Sequence, residues 1–427
     1  MKIFSRKILS NTLWLIYSKI FTLLFNLFIT AKVINYYGST DYGMYVFSTN
    51  VVSVLEILVT FVEVRIVKKK YVDYPTDEVV WNATIARVIL SGISFLIGLV
   101  YVIFSAESME IKVMVFILLI NSILVNMRFG METHFEYMLE SKRMVIAANI
   151  ASLLIMVLQL VAIMLQLKIV VLCLISTVNA IVSFVIIYFQ YRKCWKVRLR
   201  TSLNKRLIGC LLVESIPLAI AAAAATIYTK CDSLMIKYFM NYENVAIYSV
   251  SLKLYSIAQI AIVPVRTSFF PKQMDLYSTD GTKYETMYIK ISSCMTWLCI
   301  LGIIVGNALL PSIFLVFFNV EYLGAIHSFR VLCVGLVVLY NTVLRTAHIS
   351  IQGNTHVLMY VQLISVGLNV IMNCMLIPKW GINGAAISTS ITLLFSTFFS
   401  NLFFKDTRKL FYWQLKAFNP IYIFKKT

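Results

Sequence analysis

Ile377-Pro378-Lys379-Trp380-Gly381-Ile382-Asn383-Gly384-Ala385-Ala386 forms a short break between two long apolar runs, 355–377 and 381–404. Each run exceeds the ~20 residues that an α-helix needs to cross the hydrocarbon of a bilayer. The small residues that follow Trp380 suit close packing of the next helix against a neighbour. Outward from this break the pattern repeats: about twelve apolar runs of spanning length, separated by short polar breaks, reach from the first dozen residues to about Phe404. Hydrophobic residues make up 60% of the chain, and little of it is left for a soluble domain. Backbone N–H and C=O groups in hydrocarbon must be satisfied within the segment that carries them. The expected fold is therefore an all-α integral membrane protein. The first run exceeds ~20 residues and leads straight into a second, which predicts a retained N-terminus and not a cleaved leader.

Lys and Arg fall on alternate loops, and this sets the orientation. With the N-terminus inside, one set of flanks collects Arg65, Lys68, Lys69, Lys70, Arg128, Lys142 and Arg143, then Arg192 through Arg206, and later Lys272, Lys283 and Lys290. The opposite flanks keep few cations, such as Lys32, Lys112, Lys168 and Lys379. Both termini are expected to be cytoplasmic. The formal net charge of +19 is spread over short loops instead of one soluble face, so membrane orientation accounts for it and no nucleic-acid partner is expected. The eight cysteines have no paired metal spacing and read as small packing residues; no metal or cofactor is expected.

The most basic loop bisects the runs into six before and six after. This predicts a six-helix lobe over 1–191, a basic cytoplasmic linker over 192–206, a second six-helix lobe over 207–404 and a basic cytoplasmic tail over 405–427. Transporters made of related halves handle substrate in a central cleft between them.

Along the second half, Glu214-Ser215-Ile216-Pro217-Leu218 opens the seventh run and Asp232-Ser233-Leu234-Met235-Ile236 closes it; Ala246-Ile247-Tyr248-Ser249 and Lys253-Leu254 begin the eighth. Tyr36-Tyr37-Gly38-Ser39-Thr40-Asp41-Tyr42-Gly43-Met44-Tyr45 reads as a tight turn whose glycines accept angles that branched residues resist. Asn319-Val320-Glu321-Tyr322, with Ala325, Arg330 and Leu332, precedes the tenth run. Together with Pro378–Ala386, these stretches resemble the polysaccharide-transport branch of the multidrug/oligosaccharidyl-lipid/polysaccharide exporter superfamily, to which Wzx-type O-antigen flippases belong. The resemblance implies a flippase in the bacterial cytoplasmic (inner) membrane, either driven by protons or ions or independent of a gradient. Its substrate would be an undecaprenyl-pyrophosphate-linked oligosaccharide for O-antigen, capsule or exopolysaccharide. Membrane lipids and a polysaccharide polymerase are the other partners it suggests.

Polar residues at helical spacing have no reason to face lipid, so a stripe of them points into a bundle or an aqueous cavity. Asn50, Ser53, Glu56, Thr60 and Glu63 form one such stripe, Asn341, Arg345 and His348 another, and Gln362, Ser365, Asn369 and Asn373 a third. A charge near the bilayer centre costs roughly 2.5–3.5 kcal/mol and needs a partner or a ligand. Lys19 and Glu56 fall at similar depth and are expected to pair, and Glu63 lies at the level of Arg87. Lys253 has no acid in its own helix, with Asp232 the nearest candidate. A pyrophosphate would relieve such cations. The candidate anion path is Lys19, Arg87 and Lys253, with Arg345 near its cytoplasmic entrance and Arg330 near its outer exit. Glu56, Glu63 and Asp232 are candidates for ion coupling or charge pairing, while Glu214 is explained by helix N-terminal preference for negative charge.

An enzyme acting on the same carrier would need a sizeable extramembrane loop and a catalytic constellation. The loops are short, and His134, His327, His348 and His356 are scattered, so no enzyme is expected. The closer rival is a multidrug/cation antiporter of the same superfamily, which would favour unpaired carboxylates over unpaired cations.

Overall fold

The computed structural model describes residues 6–195 and 203–424 and, for 6–27, Ser141, Ile313 and Thr355, the backbone alone. Lys196, Arg198 and Arg200, on which part of the expected orientation rests, lie outside the described residues. The regular structure of the described residues is helical. It runs α1 (Arg6–Leu55), α2 (Val64–Lys70), α3 (Thr76–Phe104), α4 (Met109–Asn126), α5 (Phe129–Tyr137), α6 (Ser141–Met164), α7 (Val171–Cys194) and α8 (Lys205–Phe239). It continues with α9 (Tyr242–Ala258), α10 (Ile262–Thr279), α11 (Gly281–Phe317), α12 (Gly324–Asn341), α13 (Arg345–Ile351), α14 (Thr355–Thr397), α15 (Arg408–Ala417) and α16 (Ile421–Phe424). Among the described residues, nine helical stretches are long and apolar enough to span a bilayer. The protein is a multi-pass membrane protein.

The two glycine-bearing turns expected from the sequence are bends inside long helical stretches. Gly38 breaks α1 with φ 75° and ψ 175°, and Gly381 breaks α14 with φ 57° and ψ −138°. A side chain at either would be strained at these angles. At Gly381 an added Cβ would also lie 3.0 Å from Met240 Cε. Pro378 precedes this bend by less than one turn, and its missing amide already weakens the helix there.

The chain divides into two compact units, Met1–Thr226 and Ile227–Thr427, with the division inside α8. In the first unit Val62, Val79, Ala83, Phe129, Phe135 and Tyr191 are buried together, and Leu207 and Leu211 from the start of α8 complete that core. Polar contacts fix this half of α8 to its unit. Asn204 caps the helix by accepting from Leu207 N (3.0 Å), and its own amide donates to Glu78 (2.6 Å). Ser215 Oγ accepts from Glu63 N (3.1 Å).

In the second unit α12 packs on α9, α11 and α14. A Cβ on Gly335 would stand 3.3 Å from Ser390 Cα, so α12 and α14 approach closely there. Ser251 Oγ donates to Ala325 O (2.9 Å) and Ser390 Oγ to Val331 O (3.1 Å), joining α9 and α14 to the α12 backbone. Outward faces carry exposed apolar side chains such as Ile93, Leu96 and Val100 on α3 and Leu298, Leu301 and Ile304 on α11. Such stripes suit lipid as solvent.

Candidate functional site

The most enclosed charge described is Asp232 of α8, 3% exposed in the second unit. Three donors from two helices converge on its carboxylate. Tyr248 of α9 donates its hydroxyl to Oδ2 (2.9 Å), Thr389 of α14 donates to the same oxygen (2.5 Å), and Asn373, also on α14, donates to Oδ1 (2.7 Å). Asn369 Oδ1 accepts a second bond from Asn373 (3.1 Å), while Ser388 Oγ donates to Asn369 O (3.1 Å). Asn373 and Asn369 lie before the Gly381 bend and Thr389 after it, so the cage depends on that bend for its closure. Asn373 Oδ1 is buried without a hydrogen-bond partner. The result is one buried carboxylate held by two hydroxyl donors and one amide donor, an acid placed to exchange a proton.

Arg345, at the start of α13, is 5% exposed. Its guanidinium donates through Nε to Asn401 Oδ1 (2.7 Å) and through a terminal nitrogen to Ser400 Oγ (3.0 Å). Asn401 in turn donates to Gln414 Oε1 (2.9 Å), and Gln414 O accepts from Asn341 (3.2 Å). The tail helix α15 is thereby tied to α12 and α13 through one polar network. Lys253 lies half-buried on α9, and Arg330 is exposed on α12, donating to Asn307 Oδ1 (3.2 Å).

In the first unit the half-buried Arg87 is anchored by the backbone. Val62 O accepts from its Nε (3.2 Å) and a terminal nitrogen (3.0 Å), and the guanidinium lies 3.6 Å above the Phe129 ring. Asn126 Oδ1 lies 3.5 Å away, and Glu132, Glu63 and Glu56 act on the guanidinium electrostatically. Glu63 itself bridges Arg65 (2.9 Å). The Lys19 side chain lies outside the described residues, and with it the expected pairing to Glu56.

Glu214 corrects one expectation. It is not at a helix start, because the Asn204 cap begins α8 nine residues earlier. Its carboxylate instead holds Lys70 (2.5 Å), with Lys69 at 3.9 Å. The Lys70 ammonium, outside the spanning segments, is held above the ordinary lysine range by that hydrogen bond.

Sequence reasoning found Asp232, Asn369 and Asn373 but did not connect them, and it did not single out Thr389. The polar triplet Ser388-Thr389-Ser390 inside an apolar run was the available signal. Tyr248 stood inside a quoted motif without a role.

Residues 8–276 match the family model described as "Polysaccharide biosynthesis protein". A curated relative, an uncharacterized membrane protein of Methanocaldococcus jannaschii, is 24% identical over 188 residues, 44% of this chain and 37% of that protein. The match thus spans well under half the length of that relative. Among solved structures, a multidrug resistance MATE family transporter of the MOP superfamily, inward-facing, aligns with a TM-score of 0.66 at 14% identity over 97% of both chains. The lipid II flippase MurJ, in an inward closed conformation, aligns with a TM-score of 0.66 at 14% identity, covering 96% of this chain and 92% of that one. A MOP superfamily transporter from Pyrococcus furiosus aligns with a TM-score of 0.56 at 14% identity, over 95% and 94%. These likenesses show the fold. The family match covers more than half of the chain, which belongs to the polysaccharide biosynthesis protein family.

Proposed function

We propose that the protein is a flippase that moves an undecaprenyl-pyrophosphate-linked oligosaccharide from the cytoplasmic to the outer leaflet of a bacterial inner membrane by alternating access. The observation that carries the reading is Arg345, a buried cation whose hydrogen bonds go to the neutral oxygens of Asn401 and Ser400. A guanidinium satisfied this way keeps its positive charge for an anionic ligand, whereas pairing with a carboxylate would cancel it. Lys253, Arg87, Arg330 and Lys19 complete the proposed anion path.

The reading includes about twelve spans, obtained by counting α1 and α14 each as two helices across their glycine bends. It also includes two six-helix lobes around a central cleft, cytoplasmic termini, and a polysaccharide polymerase as downstream partner. Asp232 is the proposed site of ion or proton coupling, because it is a buried carboxylate held in place by hydrogen-bond donors of α9 and α14. The MurJ likeness lends support, since that neighbour is a lipid II flippase.

A multidrug/cation antiporter is the second reading, and Asp232 is the observation that favours it. Deleting the gene separates the two. Lipid-linked oligosaccharide accumulating on the inner leaflet, rescued by wild type but not by Arg345→Gln or Lys253→Ala at equal membrane levels, is the expected result. No accumulation, with altered tolerance to cationic drugs, would replace the flippase with the antiporter.

A further inference from the structure

A groove of about 230 Å³ lies in the first unit, lined almost entirely by apolar and aromatic side chains. One wall is the first turns of α3, from Val80 through Trp81, Ile85 and Val88; the opposite wall is Phe184 and Tyr188 of α7, with Met127 and Met131 between them. From Val80 to Val88 it runs about 12 Å along α3, at 1.5 Å per residue. The polar group in the α3 wall is already spent. Thr84 Oγ1 donates to Val80 O (2.8 Å) and accepts from Gly130 N (3.1 Å). The groove therefore presents hydrocarbon, sulfur and aromatic faces, and water or sugar would find little to bond there.

The groove is continuous with lipid-facing surface on both sides. The exposed stripe of α3 continues from Val88 through Ile89 and Ile93. The exposed stripe of α7 descends through Ile181, Val185 and Phe189 and ends at Arg192, an exposed cation 5.9 Å from the Tyr188 ring. Trp81 and Tyr188 mark the level at which amphipathic rings prefer the headgroup region. An apolar channel with an exposed cation at its interfacial end complements a molecule with a hydrocarbon chain and an anionic head.

We infer that this groove binds an anionic phospholipid of the surrounding leaflet, with one acyl chain between α3 and α7 and the headgroup phosphate at Arg192. The reading does not depend on the transported substrate. The lipid would seal the gap between α3 and α7 and brace the first unit from its lipid face.

The test uses the full-length protein in detergent, titrated with phosphatidylglycerol and with phosphatidylcholine of the same chains, bound lipid being counted by native mass spectrometry. Phosphatidylglycerol is expected to bind about fivefold more tightly, the weight of one interfacial cation. Arg192→Gln should reduce it to the phosphatidylcholine level, while Lys193→Gln leaves it unchanged. Ile85→Trp, which fills the groove, should weaken both lipids; an unaltered thermal midpoint in lipid-free detergent shows that the variant is folded. Equal binding of the two lipids by wild type, or no effect of Arg192→Gln, overturns the assignment. Displacement of phosphatidylglycerol by inorganic phosphate would make it a simple anion site. Displacement by a polyprenyl phosphate at lower concentration would make it a carrier-lipid site instead.

Discussion

Each unit buries one histidine in an aromatic cage, and the two cages are built alike. In the first unit His134, on the short helix α5 that follows α4, bonds through Nδ1 to the Tyr191 hydroxyl (3.1 Å) and packs on Tyr71 and Trp195. In the second unit His348, on the short helix α13 that follows α12, bonds through Nδ1 to the Tyr284 hydroxyl (2.6 Å) and packs on Tyr277, Tyr288 and Trp413. Trp195 directly follows α7, and Trp413 lies on α15, after α14. Such correspondence is expected of related halves. The arginines beside the cages differ. Arg128 is bridged to Glu132 (3.0 Å), whereas Arg345 leans on neutral oxygens. The same scaffold neutralises its cation in one unit and leaves it charged in the other. Charge, more than fold, is where the two cages differ.

The largest expected effect breaks the comparison at a residue that belongs to the second unit's own chemistry. Asp232→Ala strands the donors of Tyr248, Thr389 and Asn373 in a dry site, at roughly 1–3 kcal/mol for each buried group left unsatisfied. The thermal midpoint of the purified protein should fall sharply and transport should vanish. Asp232→Asn keeps an acceptor and most of the shape. It should hold the midpoint near wild type while abolishing ion-coupled transport. Full transport by Asp232→Asn would remove Asp232 from coupling.

The arginine pair comes next. Arg345→Gln should leave the Asn401–Gln414 contact standing and cost transport at least tenfold. Arg128→Gln should leave Glu132 without its partner and chiefly cost stability. If both variants transport equally well once matched for membrane level, the asymmetry of charge has no functional weight.

His134 gives the pH test. Burial pushes its pKa down to about 4, so it stays neutral in the native protein while an unfolded chain takes up a proton near pH 6.5. A depressed histidine costs stability as pH falls. The loss should begin near 6.5, steepen to about 1.4 kcal/mol per unit and level off below about 4. His134→Asn should flatten that slope in thermal unfolding followed from pH 7 to 4; an unchanged slope would place the acid sensitivity elsewhere.

Much of the fold was legible because lipid imposes a simple rule: apolar runs long enough to span must be helical, and glycine at 38 and 381 marks where they bend. The charged residues were legible one at a time, by their cost in hydrocarbon. Their partners were not, because partnership depends on packing between distant segments. Glu214 meets Lys70 across 144 positions, Asp232 meets Thr389 across 157, and Arg345 meets Asn401 across 56. Periodicity places Asn373 on a face but cannot say which helix that face meets. The histidines, scattered along the chain, acquire their common role only when the tyrosines of α7 and α11 close on them.

The smallest effect tests one matched ion pair of the first unit. Lys70 and Glu214 form a close pair whose side chains are 9% and 35% exposed, so solvent screens it in part. A double-mutant cycle through Lys70→Met and Glu214→Gln should return a coupling of about 0.5–1 kcal/mol. Glu214 holds the Lys70 pKa above its unfolded value, so the pair's contribution is fully present below about pH 10.4. Toward alkali it is lost as pH rises through the native pKa, and in strong acid when the Glu214 carboxylate is protonated. The coupling should therefore be flat between pH 6 and 9 and fade in strong alkali. A coupling that changed across neutral pH would mean that another group titrates beside the pair and that the first unit's charge is less settled than its ion pairs suggest.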